Sequence, residues 1–435
     1  MGEGASVLET RIRELEAELY TAMRQVLPQI HQTRRWETQI LRWCMDDESL
    51  RTQVLRFIDC LPALQDAREV VRHLKEYFPE KSDRLPLPLR LGLAAARPPP
   101  TFSGGLTGRA VAAATRHTVS AIARFFLAGA DLEEAFGTIR RLEQEDYRVS
   151  VDLLGEATIS QNDAERYTQK YLELIQHWRA RLTSRPHVSL KLSSLAFPFD
   201  PVDPERVYRQ VRPHLSSILQ NAAAQDGFVN VDMEQYHWRD LVLQLTQRLL
   251  EESFPGESRV GVVIQSYLKD SEQVSLQLLE WARARGTPIT VRLVRGAYWD
   301  SEVILAQQHG WPCPVYTRKA DTDASFERLT DLLLENHETV RVAIGTHNLR
   351  SIARAIAKAE QLQVPPSHWE CQVLYGMGEA VQQAVRRARI PVRIYTPVGE
   401  LIPGMAYLVR RILENTSQNS FLAMSLLGDP NAPLS

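Results

Sequence analysis

The side chains able to do chemistry together stand at the ends of short apolar runs. Asp152 and Glu156 follow one run, Lys191 another, Asp232 and Glu234 a third, and Gln265 a fourth. Arg292 and Arg295 belong to a fifth, Thr346-His347-Asn348 to a sixth, Tyr375 to a seventh and Tyr395 to an eighth. Beyond them, from Met405 to Asn415, Leu, Val and Ile recur at helical spacing, which reads as a helix with one buried side. On it Tyr407 lies three and four residues before Arg410 and Arg411, and Glu414 lies three and four after them, so the four share a face. Two adjacent guanidinium forks suit a carboxylate or phosphate better than lysines would. The plainer reading is a surface pair bridged to Glu414, which contributes little.

The same set suits a planar aromatic cofactor with a small anionic substrate. Gln265 can hydrogen-bond a ring edge as donor and acceptor. Arg292 can stabilise negative charge on a ring nitrogen that gains electrons. Arg295-Gly296-Ala297 offers backbone that a ring can approach closely, because glycine and alanine cover little. Each residue also has a structural reading: Lys191 beside Asp232 as an ion pair, His347 and Asn348 as a helix cap, Tyr395 as a core aromatic. Several chemistries lack their motifs: there is no Gly-x-Ser-x-Gly, no phosphate-binding lysine loop and no His-Glu-x-x-His.

The elements that position these groups read as a repeating strand–helix pattern from about residue 148. Strands are expected at Arg148–Leu154, Val188–Leu192, Phe228–Asp232, Val260–Gln265, Ile289–Val294, Val340–Ile344, Glu370–Leu374 and Val392–Ile394. Amphipathic helices such as Ala164–Arg179 and Ser271–Arg285 separate them. This alternation implies an α/β chain with a parallel (β/α)8 barrel, whose site lies at the C-terminal strand ends. A doubly wound sheet would require a Gly-x-Gly-x-x-Gly after a strand, and none follows.

Upstream, the chain is helical in pattern and poor in chemistry. Leu8, Ile12, Leu15, Leu19, Ala22 and Val26 form the seam of a short coiled coil or of a packed arm. A second amphipathic stretch runs from Glu37 to Leu64, and the prolines of residues 85–100 break helices and mark a linker. The domain division expected is 1–100 for a helical arm and 101–435 for the barrel with its capping C-terminal helix. With 51 basic and 53 acidic residues, no global field recruits nucleic acid. Four scattered cysteines without a C-x-x-C pair argue against structural zinc and disulfides and fit a cytoplasmic setting. No metal is expected. The N-terminus lacks the apolar core of a secretory signal, and no apolar run is long enough to span a bilayer.

Asp152-Leu-Leu-Gly-Glu-Ala157, Lys191-Leu-Ser193, Gln265-Ser-Tyr267, Val291-Arg-Leu-Val-Arg-Gly-Ala-Tyr-Trp-Asp300, Gly345-Thr-His-Asn348 and Tyr407 to Asn415 together resemble the FAD-dependent proline dehydrogenases. The likeness is closest to the dehydrogenase half of bifunctional bacterial proline-utilisation proteins, and runs from about residue 105 onward. It implies oxidation of L-proline to Δ1-pyrroline-5-carboxylate, the first step of proline catabolism, with electrons passed from FAD to a membrane quinone. It implies that Arg410 and Arg411 grip the proline carboxylate with help from Lys191, and that Asp232 and Arg292 are active-site residues. Tyr298, Tyr395 and Tyr407 would wall the pocket, and Glu414 would brace the arginines and border the cofactor. Asp152 and Glu156 would belong to an ion-pair network at the lid of the site. The flavin-contacting positions would be Met233, Gln265, Arg292, Val294, Arg295, Gly296, Ala297, Trp299, Thr346, His347 and Asn348.

Two residues depart from the family pattern: Arg295 stands where lysine is usual and Phe326 where tyrosine is common. The sequence also carries no aldehyde-oxidising half and no basic DNA-binding segment, the expectation being a stand-alone dehydrogenase or a fragment of a longer protein. A methylenetetrahydrofolate-reductase-like flavin barrel and a non-catalytic interaction protein are the alternatives. A folate-sized pocket would mark the first and a colourless protein the second. Peripheral membrane contact and oligomeric state stay open.

Overall fold

In a computed structural model, the described residues are 2–33, 66–77, 126–155 and 158–400, with isolated positions between 52 and 64. The chain divides into two compact units: residues 1–27, 132–374 and 378–398 in the first, and 28–131, 375–377 and 399–435 in the second.

The first unit is the barrel. Its strands are β1 (Arg148–Leu153), β2 (His187–Leu190), β3 (Phe228–Val231), β4 (Val260–Gln265), β5 (Ile289–Val294), β6 (Val340–Gly345), β7 (Trp369–Leu374) and β8 (Val392–Val398). They pair in sequence order, all parallel, and β8 returns to β1 to close the ring. That closure is the longest ladder of the sheet's first strand, running from Arg148 opposite Arg393 to Leu153 opposite Val398. Each expected strand is present within a few residues of its expected ends. The β3 ladder also outlasts its assigned strand, because the Asp232 amide donates to the Leu190 carbonyl at 2.7 Å.

Helices alternate with the strands. In chain order they are α1 (Gly2–Thr33), α2 (Ala67–Tyr77), α3 (Leu132–Gln144), α4 (Gln161–Arg181), α5 (Pro204–Ala224) and α6 (Tyr236–Ser253). There follow α7 (Ser271–Arg285), α8 (Trp299–His309), α9 (Lys319–Glu335), α10 (Leu349–Leu362) and α11 (Glu379–Arg387). Local chemistry sets their ends. Ser160 caps α4 by accepting from the Asp163 amide, and Pro204 opens α5 behind the Asp203 cap, where a missing N–H costs nothing. Gly286 and Gly310 end α7 and α8 in the left-handed region that glycine enters without strain.

Strand alternation sorts the two faces. Val149, Val151, Leu153, Val188, Leu190, Val229 and Val231 are buried, and lie on the phase that meets the helices. The other phase carries Ser150, Asp152, Ser189, Asn230, Asp232, Gln265 and Arg292, also buried. Groups from β1, β3, β5 and β8 touch one another, as described below, so this phase faces the barrel interior. Barrel interiors are commonly filled with branched apolar residues. Here the filling is polar, and the active-site cluster is its upper layer.

Residues 2–27 of α1 belong to the barrel unit. Ile12, Leu15, Leu19, Met23 and Val26 are buried, and Arg11 pairs with Glu360 on α10 at 3.0 Å while Arg350 of α10 pairs with Glu9 at 2.9 Å. The seam is therefore an arm packed on its own barrel. Met23 takes the inward position expected of Ala22, since 3.6 residues per turn carry the stripe one position on. In the second unit, Phe57 meets the Tyr77 ring edge-on at 6.4 Å, and the Gly399 amide donates to the Gly129 carbonyl at 3.0 Å. The residue 85–100 linker, most of the 37–64 stretch and the Met405–Asn415 helix lie outside the described residues.

Candidate active site

Five strands bring a compact ionic cluster into the barrel mouth. Asp232, after β3, accepts from Arg292 Nη1 of β5 at 2.6 Å and from Asn230 Nδ2 at 2.8 Å, both on Oδ1. Its Oδ2 lies 2.8 Å from the Tyr395 hydroxyl of β8. That hydroxyl is also 2.6 Å from Asp152 Oδ2 of β1. Lys191, after β2, donates to Asp152 at 3.0 and 3.2 Å. Arg292 is held on its far side by Ser189 Oγ at 2.9 Å, itself 3.0 Å from Ser150 Oγ, and its guanidinium lies 5.2 Å from the Tyr395 ring centre.

Electrostatics fix the protonation of the outer groups. Burial works against charge on Lys191, but Asp152 and Asp232 outweigh it and raise its pKa, so it stays an ammonium. Burial and the same two carboxylates push the Tyr395 phenol well above its ordinary range. Beneath them Tyr171 donates to the Ser189 carbonyl at 2.8 Å and is likewise held as a phenol by burial, with Asp152 adding to it. Glu234 is buried, with its pKa raised by burial against the opposing pull of Ser193 and Lys191. Ser193 Oγ donates to its Oε2 at 2.8 Å.

One expectation is corrected here. Lys191 pairs with Asp152, not with Asp232, whose guanidinium partner is Arg292. Asp152 is also a strand residue, 1% exposed inside the barrel. Its partners among the described residues are Lys191 and Tyr395. Glu156, Tyr407, Arg410, Arg411 and Glu414 lie outside the described residues.

The expected cofactor edge is assembled from β4, β5 and β6. The Ser266 and Tyr267 amides donate to the Val294 and Arg295 carbonyls at 2.8 and 2.9 Å, which pins the start of the loop after β5. Gly296 has φ +127°, and a Cβ there would lie 2.5 Å from the Tyr267 ring, so both conformation and space demand glycine. Arg295 donates to Asp323 at 2.8 Å, to Thr346 Oγ1 at 2.7 Å and to Ser351 at 2.9 Å. Its guanidinium sits 4.7 Å over the Phe326 ring. The two departures from the family pattern are thus in contact, a fork stacked on an apolar ring. Asn348 caps α10 by accepting from the Ser351 amide, as its structural reading expects. His347 Nε2 accepts from the Leu374 amide at 3.1 Å, which leaves its ring proton on Nδ1. Met233 is buried after β3, Val294 half-buried at the end of β5, and Ala297 exposed; Tyr298 stands at the N-cap of α8. Trp299 is partly exposed, its indole N–H donating to the Tyr316 carbonyl at 2.8 Å.

The donor set fits a ring with both donor and acceptor edges. Gln265 Oε1 and Arg292 Nε are buried and have no hydrogen-bond partner among the described residues. Thr346 Oγ1 accepts from both Arg295 and the Asn348 amide, which leaves its own hydrogen to donate.

The sequence profile described as proline dehydrogenase matches residues 135–424, more than half of the chain. The chain belongs to the proline dehydrogenase family. The profile described as the proline utilization A N-terminal domain matches residues 9–126. Bifunctional protein PutA of Escherichia coli K12 is 34% identical over 322 residues, covering 71% of this chain and 24% of that protein. Proline dehydrogenase 1 of Bacillus subtilis 168 is 28% identical over 306 residues, covering 70% of this chain and 90% of that one. Among solved structures, proline utilization A from Bdellovibrio bacteriovorus inactivated by N-propargylglycine superposes with a TM-score of 0.83 at 33% identity. That alignment covers 98% of this chain and 44% of the other. The chain thus spans about a quarter of the length of the curated bifunctional relatives it matches. Family membership implies a flavin cofactor, which the donor set above fits.

Sequence reasoning passed over Ser150, Ser189 and Asn230, which hold Arg292 and Asp232 in place. A signal was present: each lies two residues before a site residue and so on the same strand face. Tyr171, reaching the cluster from α4, carries no such signal.

Proposed function

We propose that this chain oxidises L-proline to Δ1-pyrroline-5-carboxylate with FAD, passing the electrons to a quinone. The observation that carries the reading is the buried Asp152–Lys191–Tyr395–Asp232–Arg292 cluster, assembled at the mouth of a barrel of this family. FAD, when bound, supplies the two-electron acceptor for hydride from the ring carbon beside the proline nitrogen. Gln265, Arg292, Gly296 and Thr346 would hold it, Arg292 offering positive charge at its edge. Lys191 keeps one ammonium hydrogen beyond the two given to Asp152 and offers it to the substrate carboxylate. Arg410 and Arg411 would complete the carboxylate clamp, with Glu414 bracing them. Tyr395, fixed through its hydroxyl, presents a rigid ring face against the pyrrolidine, and orientation of this kind supplies much of the rate. Tyr298 and Tyr407 would wall the pocket and Glu156 close it.

A quinone is lipid-soluble, so the cytoplasmic protein would meet the membrane peripherally; no described helix is long and apolar enough to cross one. The test is an anaerobic flavin spectrum before and after adding L-proline. Bleaching of the flavin band supports the reading, and bound flavin that proline leaves unbleached sinks it.

A further inference from the structure

The oxidation of a secondary amine removes a hydride from carbon and a proton from nitrogen, and the proton needs an acceptor. Lys191 is already protonated, and Arg292 is a permanent cation. The one arrangement in the cluster built around a proton is the Tyr395 hydroxyl, 2.6 Å from Asp152 Oδ2 and 2.8 Å from Asp232 Oδ2. Both separations are hydrogen-bond lengths. A phenol has one hydrogen, and an ionised carboxylate only accepts. One hydrogen serves one contact, and the other becomes a hydrogen bond only when a second proton enters the bridge. The geometry is that of a group with room for one proton more than its ionised form carries.

The charges around it suit that task. Lys191 and Arg292 balance Asp152 and Asp232, so the unloaded cluster is neutral and the loaded one carries a single positive charge. Among the described residues, Tyr171 from α4, Glu234 from the loop after β3 and Tyr298 at the start of α8 are the other titratable groups that act on it. The phenol does not ionise, so the bridge passes protons without holding a phenolate. Asp232 is the less buried carboxyl, 7% exposed against 1% for Asp152, and forms the entry side.

We propose that Asp152, Tyr395 and Asp232 act as one proton acceptor, and that the proton they take is the one leaving the substrate's secondary ammonium. The N–H bond breaks with its electron pair left on nitrogen, and the proton reaches Asp232 Oδ2. Tyr395 accepts it while handing its own hydrogen to Asp152 Oδ2. The net change is one proton moved from nitrogen to Asp152, with no electron transferred in the step.

This rests on the proposed substrate, and the experiment separates the two. The flavin-loaded protein is mixed rapidly and anaerobically with L-proline in weak buffer, with a pH-indicator dye followed alongside the flavin band. The wild type should bleach first and release its proton later, as product departs. Tyr395→Phe should release about one proton per flavin in step with bleaching, because the bridge is cut. Asp152→Asn, which keeps the size of the side chain, should lose the delay in the same way and serves where Tyr395→Phe does not fold. Wild-type release simultaneous with bleaching, or a delay retained in either variant, overturns the proposal. A wild-type flavin that L-proline never bleaches overturns the substrate reading as well, and is recognised by the absence of any optical phase.

Discussion

Asp232→Ala tests how the cluster is held together. The Asp232 and Arg292 side chains are 9% and 6% exposed, and their contact is 2.6 Å. Removing the carboxylate leaves a buried guanidinium with Ser189 as its remaining hydrogen-bond partner among the described residues. Breaking a buried pair in this way costs about 3–5 kcal/mol. The Asn230 amide and Tyr395 hydroxyl also lose an acceptor, which places the expected cost at the upper end of that range. At roughly 2–4 °C per kcal/mol for domains of 150–250 residues, the melting temperature should fall by roughly 10 °C. Adding Arg292→Met removes the stranded charge, and the double variant should recover most of the loss despite carrying two substitutions. The assay is urea unfolding of the four proteins of the cycle, read by far-UV circular dichroism. Additive losses in the double variant would falsify the pairing argument, as would a cost below about 1 kcal/mol for Asp232→Ala alone.

Three further outcomes follow from the same geometry. Gly296→Ala forces a side chain to φ +127° and against the Tyr267 ring, a strain of about 1–3 kcal/mol or more, and purified protein should retain less flavin by absorbance ratio. Burial, with Arg393 and Arg292 nearby, holds the His187 pKa well below its usual value, so the folded state favours the neutral ring. Its contribution is present above an unfolded pKa of about 6.5 and is lost as pH falls from there toward the folded value. His187→Phe should therefore flatten the stability–pH curve over that window in urea titrations, and an unchanged slope refutes the assignment. Arg411→Met should raise the KM for L-proline by about 10²-fold, the loss of roughly two charge-assisted hydrogen bonds, while flavin content stays constant. A wild-type KM removes the carboxylate clamp.

The barrel was legible because its strands obey simple chemistry: short β-branched runs ended by polar residues, with amphipathic helices between. The site was legible as a set of positions but not as a set of pairs. Which carboxylate Lys191 meets depends on strand register, and β1 places Asp152 directly opposite Ser189, one turn of the ladder from Lys191. Periodicity alone assigns no such neighbour. Arg295 and Phe326 were each visible as departures, yet lie far apart in sequence, and only the fold shows the guanidinium stacked on the ring. The supporting serines and Asn230 were missed because small polar residues in a strand look neutral until the inward phase is known.

The bond from Tyr395 to Asp152 joins residues 243 positions apart, and it forms across the seam where β8 meets β1. Every other ladder of the ring joins consecutive strands, so this one carries the largest loop-closure entropy and belongs late in folding. The helices and the first strands can be in place while the cluster still lacks one wall. During refolding, far-UV signal should then return ahead of substrate turnover, and the interval between them times the closing of the ring. A break in the chain that leaves all seven other ladders intact, but frees β8, would leave a largely helical and sheet-rich protein without an active site.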